Sequence, residues 1–571
     1  MKINFYKIMK LRLPFLLSLL ALISVQLVTA QTLPVGLLDN TDDLFRRQQL
    51  LGKDSSNSSF MVRPVHLKGL NNLLVPGDVD GKTFNDWNKM LWQNAKGNME
   101  VRALPVVWQQ QINSHHPYGW NDGAMISAKG YQTSLSAGVF AKIGRLSIQL
   151  RPEFIYAANP YFLQTYEADN EAIFKDAINN YYNRIDAPER LGNESYSKAN
   201  LGQSSIKLDL GPVALGVSNE NLWWGPGVRN SLLMSNNAPG FLHATINTTR
   251  PINTPIGSFE SQIIGGRLEG SGILPPSGLK YLNFDDWRYL SGIVFVYQPK
   301  WVPGLHLGFD RTFTTYRSEM GSGLGDYFPL FSGLEKKSFQ NDETLENSED
   351  GYRRDQIFSL FARWLMPESN SEIYFQFGRE DHAWDFRDAF AEPEYSRAYI
   401  AGFRKLIPFK SRLDEFVQVG VEITQLEPAG SKASRPTGIW YSHSQLNHGY
   451  TNRGQFLGAG IGPDNLQSLD VAWVKGLKRI GFLAERRVHN NGLYYRAVAG
   501  QIEPRRHWVD FGLGGNLDWD YKHFVLNAKM VYIHSFNYQY RVENQDPNVF
   551  WNFDKQDANN LHLKIGLMYR W

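Results

Sequence analysis

The chain ends on an alternating run. In Leu561–Trp571, Leu561, Leu563, Ile565, Leu567, Tyr569 and Trp571 fall on one face of an extended strand, and His562, Lys564, Gly566, Met568 and Arg570 fall on the other. An apolar outer face and a polar inner face over about ten residues is the pattern of a strand that crosses a bilayer. Leu146–Tyr156 repeats it: Leu146, Ile148, Leu150, Phe154 and Tyr156 oppose Ser147, Gln149, Arg151 and Glu153. Val417, Val419, Val421 and Ile423 oppose Gln418, Gly420, Glu422 and Thr424 in the same way, and Ser371–Phe377 and Phe524–Tyr532 behave alike. A soluble edge strand also alternates, but it seldom ends a chain on an exposed Trp.

Connection lengths carry the same message. Short connectors are predicted at Ile143-Gly144, Gly211-Pro212, Pro299–Pro303, Pro367–Asn370, Pro408–Arg412, Gly476-Leu477 and Asp518–Asp520. Between them lie long ones: Asn113–Gly130, Ala158–Leu201, Glu220–Gly240, Gly270–Arg288, Arg317–Arg354, His382–Glu394, Glu427–Asn465, Val488–Arg505 and Asn537–Asn560. Short turns facing the periplasm and long loops facing outward are the habit of outer-membrane barrels. With Phe241–Thr249 as a returning strand and Pro251–Pro255 as its turn, residues 99–571 predict an antiparallel transmembrane β-barrel of about 18 strands, an even count. Residues 31–98 differ. Leu37–Gly52 and Phe84–Ala95 read as amphipathic helices, with Leu44, Leu50 and Leu51 on one apolar side and Trp87, Leu91 and Trp92 on another. They predict a small helical cap or plug at the periplasmic end.

The chain's start sets its destination. Lys2, Lys7, Lys10 and Arg12 precede an apolar stretch, Leu13–Val28, and Val28-Thr29-Ala30 offers a small-x-small cleavage pattern, so residues 1–30 read as a signal peptide. That segment holds four of the 59 basic residues and none of the 56 acids, which leaves the remainder at a net charge of −1. No basic field remains to attract nucleic acid. The absence of Cys removes disulfides, thiolate metal sites and cysteine nucleophiles. Aromatic residues at 13% and 50 glycines, without a second apolar run of spanning length, suit a large β protein, and the terminal strand favours the membrane kind.

Two loops concentrate chemistry. Ser218–Phe241 contains Trp223-Trp224-Gly225-Pro226-Gly227, Arg229, and Asn221, Asn236 and Asn237. Under a functional reading the indole faces stack on sugar rings while the Asn side chains and Arg229 bond hydroxyls or a carboxylate. Under a structural reading Gly-Pro-Gly forces a reversal and the Trp pair wedges the loop into the barrel mouth. Both readings stay open. Tyr118–Gly123 repeats the chemistry with Trp120, Asn121 and Asp122, although Asn-Asp-Gly is also an ordinary turn signal. The adjacent His115-His116 pair is expected to point apart, so no metal is predicted there. Trp384, Trp440, Tyr441, Tyr494, Tyr495, Tyr538, Tyr540, Phe550 and Trp551 are expected in the membrane belt or the loop core. Gly458–Gly462 lacks the spacing of a phosphate loop, and no HExxH, GxSxG or EF-hand pattern occurs.

The Trp-Trp-Gly-Pro-Gly element, followed by Ser231–Leu233 and Ser235–Ala238, resembles the signature of the Wzi family of outer-membrane capsule-assembly proteins. Tyr118–Gly123, with Gly130 and Gln132, is a second match, and the likeness extends more weakly through the barrel-like part. The final aromatic at Trp571 is similar to the sorting signal read by the barrel-assembly machinery. The resemblance implies a helical N-terminal region. It also implies a lectin-like, non-catalytic role in which the protein binds capsular or other surface polysaccharide. The expectation is therefore a monomeric barrel in outer-membrane lipid, without cofactor or metal. Asn221, Trp223, Trp224, Arg229, Asn236, Asn237, Trp120, Asn121 and Asp122 are its candidate polysaccharide-binding residues. A saccharide channel and a barrel hydrolase acting on lipid or glycan are the rival classes.

Overall fold

Alternation along each strand becomes a wall with two faces. The computed structural model describes residues 31–54, 56–66, 87–168, 172–274, 286–329, 354–380, 385–427, 438–498, 507–545 and 553–571. The proposed signal segment and the loop aromatics Trp384, Phe550 and Trp551 lie outside these residues. From Gly257–Leu268 onward, the strands Arg288–Pro299, Leu305–Tyr316, Arg354–Met366, Ser371–Glu380, Arg397–Phe409 and Arg412–Gln425 each pair antiparallel with the strand before. Asn465–Lys475, Lys478–Val488, Val509–Tyr521, Phe524–Phe536 and Ala558–Tyr569 continue the meander. The last strand then pairs with Val106–Asn113, Tyr569 opposite Val106 and His562 opposite Asn113, which closes the sheet on itself.

The first part of the wall is jointed. Met99–Ala103 with Val106–Asn113, Gly130–Ser136 with Val139–Ile143, Leu146–Leu150 with Glu153–Ala157, and Tyr196–Asn200 with Ser205–Asp209 are four strands, each interrupted at one level. Pro105 and Pro152 cannot donate to a ladder at that level. Arg151 is turned inward there, its guanidinium donating to the Pro105 carbonyl at 3.0 Å and to Ser136 Oγ at 3.1 Å. Taking each interrupted pair as one strand, and adding Val213–Ser218 and His243–Thr248 with its continuation Ile252–Thr254, the described residues form a ring of eighteen.

The two faces separate as the alternation requires. On the closing strand His562 and Lys564 are buried while Leu561 and Ile565 are exposed, and elsewhere Leu360, Phe375, Phe482 and Leu513 are exposed on the outer face. A barrel this wide would leave an aqueous channel unless something fills it. Part of the filling is the helix Asp39–Leu50, which lies within the expected Leu37–Gly52. Its Leu50 packs on Leu365, Leu406, Phe416 and Val474, inward residues close to the short turns. Ion pairs fasten its polar side. Asp43 meets Arg47, Arg404 and Arg479, and Arg46 reaches Glu372 at 3.0 Å beside Arg363 at 2.6 Å.

The helix expected over Phe84–Ala95 does not form across the described residues 87–95. Lys89–Gln93 is instead a strand paired with Met99–Ala103, Lys89 opposite Ala103 and Gln93 opposite Glu100. The wall thus begins before residue 99. A bulge between Met90 and Trp92 sets apolar residues side by side, which imitates a helical stripe in the sequence. Trp87 is buried under the Arg570 guanidinium, whereas Leu91 and Trp92 are exposed.

Candidate functional site

The Trp-Trp-Gly-Pro-Gly loop folds into the barrel, where three different elements hold it. Trp223-Trp224 forms a short antiparallel pairing with Val62-Arg63, opposite residues 63 and 62 respectively. Trp224 is fully buried, and its Nε1 donates to Gln262 Oε1 of the wall at 3.0 Å. The turn that follows offers its two polarities to opposite partners. Arg46 of the inner helix donates to the carbonyls of Pro226 (2.6 Å) and Gly227 (3.3 Å). On the other side the N–H groups of Val228, Arg229 and Asn230 converge on the wall carboxylate Glu422 at 2.7, 3.1 and 2.9 Å. Three successive backbone donors around one anion make a nest. A Cβ on Gly227 would stand 1.9 Å from the Asn230 carbonyl oxygen, so the turn requires glycine there.

The second motif locks onto the first. Asn121 Nδ2 donates to the Arg229 carbonyl at 2.6 Å, and Asn236 Nδ2 donates to the Asn121 carbonyl at 2.8 Å. Asn221 Nδ2 donates to Asn236 Oδ1 (2.7 Å) and the Ala238 carbonyl (3.0 Å), and Asn237 Nδ2 to the Phe456 carbonyl (3.1 Å). Asp122 pairs with Lys564 at 2.8 Å. Arg229 lies 5.0 Å over the Trp120 ring and forms an ion pair with Glu485, which also accepts from the Tyr118 hydroxyl at 2.6 Å. All nine candidate residues thus meet in one unit, buried or half-buried, with their polar groups largely turned on one another. That arrangement fits the structural reading of the motif. Gly458–Gly462 has a role here. The Gly458 carbonyl accepts from Ser235 Oγ at 2.5 Å, and a Cβ on Gly460 would stand 2.5 Å from that of Trp120.

Two cavities flank this unit. The inner one, about 200 Å³, lies between the motifs and the inner helix. Trp120, Asn121, Asp122, Trp223, Arg229 and Asn236 line it, with charges of both signs such as Arg63, Arg404, Asp470 and Lys529. Trp224 and Asn221 line neither cavity, and Asn237 faces the other one. That outer cavity, about 250 Å³, forms where the long loops converge. Residues within 116–127, 162–165, 178–191, 454–464, 487–493, 508–510 and 538–540 contribute to it, with Asn237 of the motif loop, and the helices Ala172–Tyr182 and Asn491–Val498 touch beside it. Half-buried rings of Tyr182, Phe456, Trp508 and Tyr538 stand in its wall. Tyr118 and Gly119 border both cavities, so the second motif partitions them.

The outer wall has its own charge pattern. His489 stacks on Trp508 with ring centroids 3.7 Å apart and an interplanar angle of 12°. Its two nitrogens face Asp510 (2.7 Å) and Asp464 (3.2 Å). Burial alone would push this imidazole down, yet Asp510 and Asp464 outweigh both burial and the nearby Arg487, so its pKa is raised. His116, whose ring lies 4.8 Å from that of Tyr538 at a tilt of 30°, is pushed down to about 4 by burial. The two neighbouring histidines do not point apart as expected: His115 and His116 bring their Nδ1 atoms to 3.1 Å. No third ligand completes a metal set among the described residues. Of the loop aromatics, Trp440, Tyr441, Tyr494 and Tyr540 are loop core, and Tyr495 is exposed. Tyr182, Phe456, Trp508 and His489 were not legible as a site, because three separate loops bring them together and no local spacing announces that.

Comparison with known proteins agrees with this architecture. The chain superposes on the Escherichia coli outer-membrane protein Wzi with a TM-score of 0.55 at 13% identity, covering 93% of this chain and 98% of that one. That protein is described as involved in group 1 capsule assembly and as a carbohydrate-binding β-barrel. OccAB2 of Acinetobacter baumannii (9% identity, TM-score 0.38) and OccK8 (OprE) of Pseudomonas aeruginosa (7%, 0.36) each match 82% of this chain, over 97% and 98% of their own. Their scores are too low to support an inference. No curated protein sequence matches the chain. The protein is an outer-membrane β-barrel, its long loops on the side that such barrels turn outward. The family model described as capsule assembly protein Wzi matches residues 110–491, from the first long strand to the loop after Val488, and so the chain belongs to the Wzi family.

Proposed function

We propose that this protein binds capsular or other surface polysaccharide without chemical turnover and assists capsule assembly or attachment at the cell surface. The observation that carries the reading is the outer cavity, where aromatic rings and polar side chains from six long loops face one concavity. Aromatic faces stack on the C–H faces of sugar rings, and nearby carboxylates and amides accept or donate to hydroxyls. Family membership supports it, as does the carbohydrate-binding description of the E. coli protein that shares the fold.

Of the nine candidate residues of the two motifs only Asn237 lines that cavity, and the others then act as the scaffold beneath it. We further propose that residues 31–98, apart from the Lys89–Gln93 strand that joins the wall, cap the periplasmic end, that residues 1–30 are removed on export, and that the barrel works as a monomer in outer-membrane lipid. The barrel-assembly machinery would read the strand ending at Trp571. The channel reading is weaker, since the inner helix and the motif loop both fill the lumen.

The test is binding of the purified, detergent-solubilised protein to its host's surface polysaccharide. Variants W508A/Y538A in the outer cavity and W223A in the motif are compared with the unaltered chain. Loss in the first alone supports the outer site. Loss in W223A alone, with the barrel still folded, moves the site to the inner cavity. No binding by the unaltered chain sinks the lectin reading, and planar-bilayer conductance then decides whether it is a channel.

A further inference from the structure

The periplasmic rim of the wall carries cations and aromatic rings that polysaccharide binding does not use. Arg479 stands opposite Asp518 in the ladder, which sets Lys478 beside Trp519 on the lipid-facing side. The Lys478 ammonium lies 4.8 Å from the centroid of the Trp519 ring. The short turn that follows, between Tyr521 and Phe524, holds Lys522, whose ammonium lies 5.2 Å from the Tyr521 ring. That turn is fixed from inside the barrel. Arg570 donates through Nε and Nη2 to the Lys522 carbonyl at 3.1 and 3.0 Å, and its backbone N–H donates to the His523 carbonyl at 2.7 Å. Both carbonyls are thus occupied, and Lys522 itself is exposed. Trp519, Tyr521 and Phe524 are exposed beside it, and Phe524 meets Tyr569 edge-on.

The acids of this region are answered by other cations. Asp520 faces Arg570 at 3.5 Å, and two strands away Asp414 and Glu415 face Lys475 at 3.0 and 3.3 Å. Lys478 and Lys522 instead rest on aromatic faces. An ammonium held this way keeps hydrogens for an acceptor on its open side. Farther into the membrane the lipid-facing positions turn apolar, with Ile480, Phe482 and Leu513 exposed. Interfacial rings and snorkelling lysines make a belt that accepts any headgroup. Two lysines fixed close together add a local positive field, and a headgroup of net negative charge gains from each. A zwitterionic headgroup brings its own cation, which cancels most of that gain. We propose that the rim between Lys478 and Lys522 binds an anionic glycerophospholipid of the periplasmic leaflet. The two ammonium groups draw its phosphate, and Ile480, Phe482 and Leu513 receive its acyl chains.

The probes are phosphatidylglycerol and phosphatidylcholine with the same dibrominated acyl chains, each titrated into micelles of the detergent-solubilised full-length protein. Bromine quenches tryptophan on contact, and the quenching lost in W519F separates Trp519 from the rest of the 16 tryptophans. Half-quenching by phosphatidylglycerol is expected at a lower mole fraction than by phosphatidylcholine, by about fivefold for each lysine its headgroup meets. High salt should narrow the difference. In K478Q/K522Q the two lipids should converge, while K478R/K522R, which keeps both charges, should retain the preference. Heat-modifiable gel mobility shows that each variant is folded. Equal quenching by the two lipids in the unaltered protein overturns the site and leaves an ordinary interfacial belt. A preference for phosphatidylglycerol that K478Q/K522Q keeps in full also overturns it, since the charge would then come from elsewhere.

Discussion

The inner helix is held by one carboxylate whose removal has a calculable effect. Asp43 is buried, meets Arg47, Arg404 and Arg479, and accepts from Gln418 Nε2 at 3.2 Å. Burial alone would raise its pKa, but the three arginines more than reverse this and hold it well below the usual carboxylate range. D43N removes the charge and keeps the shape. Breaking a buried pair costs about 3–5 kcal/mol, mostly because a charge is left without its partner. Here Arg404 keeps Glu372 at 3.4 Å and Arg479 keeps Asp470, so Arg47 is the cation most deprived. The lower end, about 3 kcal/mol, is therefore expected, or roughly 100-fold in the opening equilibrium of the helix. Burial of Leu44, Phe45 and Leu50 contributes about 5–9 kcal/mol, enough to keep the helix docked most of the time.

Amide hydrogen exchange across Asp39–Leu50 in detergent or nanodiscs reads that equilibrium directly. Exchange should accelerate roughly 100-fold in D43N, and adding R47Q should recover part of it. The pH dependence has a definite sign. A carboxylate with a depressed folded pKa stabilises fully above its unfolded value, here 3.8, and loses that contribution as pH falls toward the folded value. The unaltered helix should thus loosen only in strong acid, while D43N should lack that acid transition. Unchanged exchange in D43N would refute the idea that this ion pair cluster anchors the helix.

Three further outcomes follow from the geometry. W224A empties a fully buried site and is expected to cost about 3–5 kcal/mol, lowering the thermal midpoint while polysaccharide binding at the outer cavity survives in the folded fraction. G227A drives a Cβ against the Asn230 carbonyl and should dislodge the turn from Glu422. That would appear as faster exchange at residues 228–230, and unchanged exchange there would count against the nest. His489, with its raised pKa, stabilises the outer loops fully below its unfolded value of 6.5 and loses this as pH rises through the folded value. Trp508 fluorescence, quenched by the stacked imidazolium, should therefore increase on titration above pH 6.5 in the unaltered protein and not in H489Q.

What the sequence disclosed depended on the range of the signal. Strand alternation is a local property with period two. The wall was therefore legible from Leu146–Leu150 and Leu561–Trp571, and the ordering of short turns and long loops carried the topology. The helix at Asp39–Leu50 was legible for the same reason. At Lys89–Gln93 a bulge disturbed the period, and a strand looked helical. The motif residues were visible as a composition, but their direction was not. Whether Trp224 faces a sugar or Gln262 depends on a residue 38 positions away, and the nest on Glu422 depends on one still more distant. The outer cavity was the least legible part. Tyr538 could be noticed alone, whereas Trp508, His116 and Tyr182 join it in one wall only after four loops fold together.

The inward turn of so polar a motif has a physical reason. A ring of eighteen strands encloses more space than its own side chains fill, and the inward faces here carry ionisable groups such as Glu372, Arg363, Glu422 and Glu485. A hydrophobic plug would strand those charges, because each buried charge needs a partner. A plug made of arginines, asparagines and bare backbone amides satisfies them. Arg46 answers Glu372, three N–H groups answer Glu422, and Arg229 answers Glu485. The aromatic members, Trp224 above all, then supply the apolar burial that repays ordering the loop. A motif built this way has most of its polar groups turned on the wall and on one another, which fits its structural reading. On the proposed reading, polysaccharide recognition falls to the loops beyond it, where Trp508 and Tyr538 keep part of their surface open.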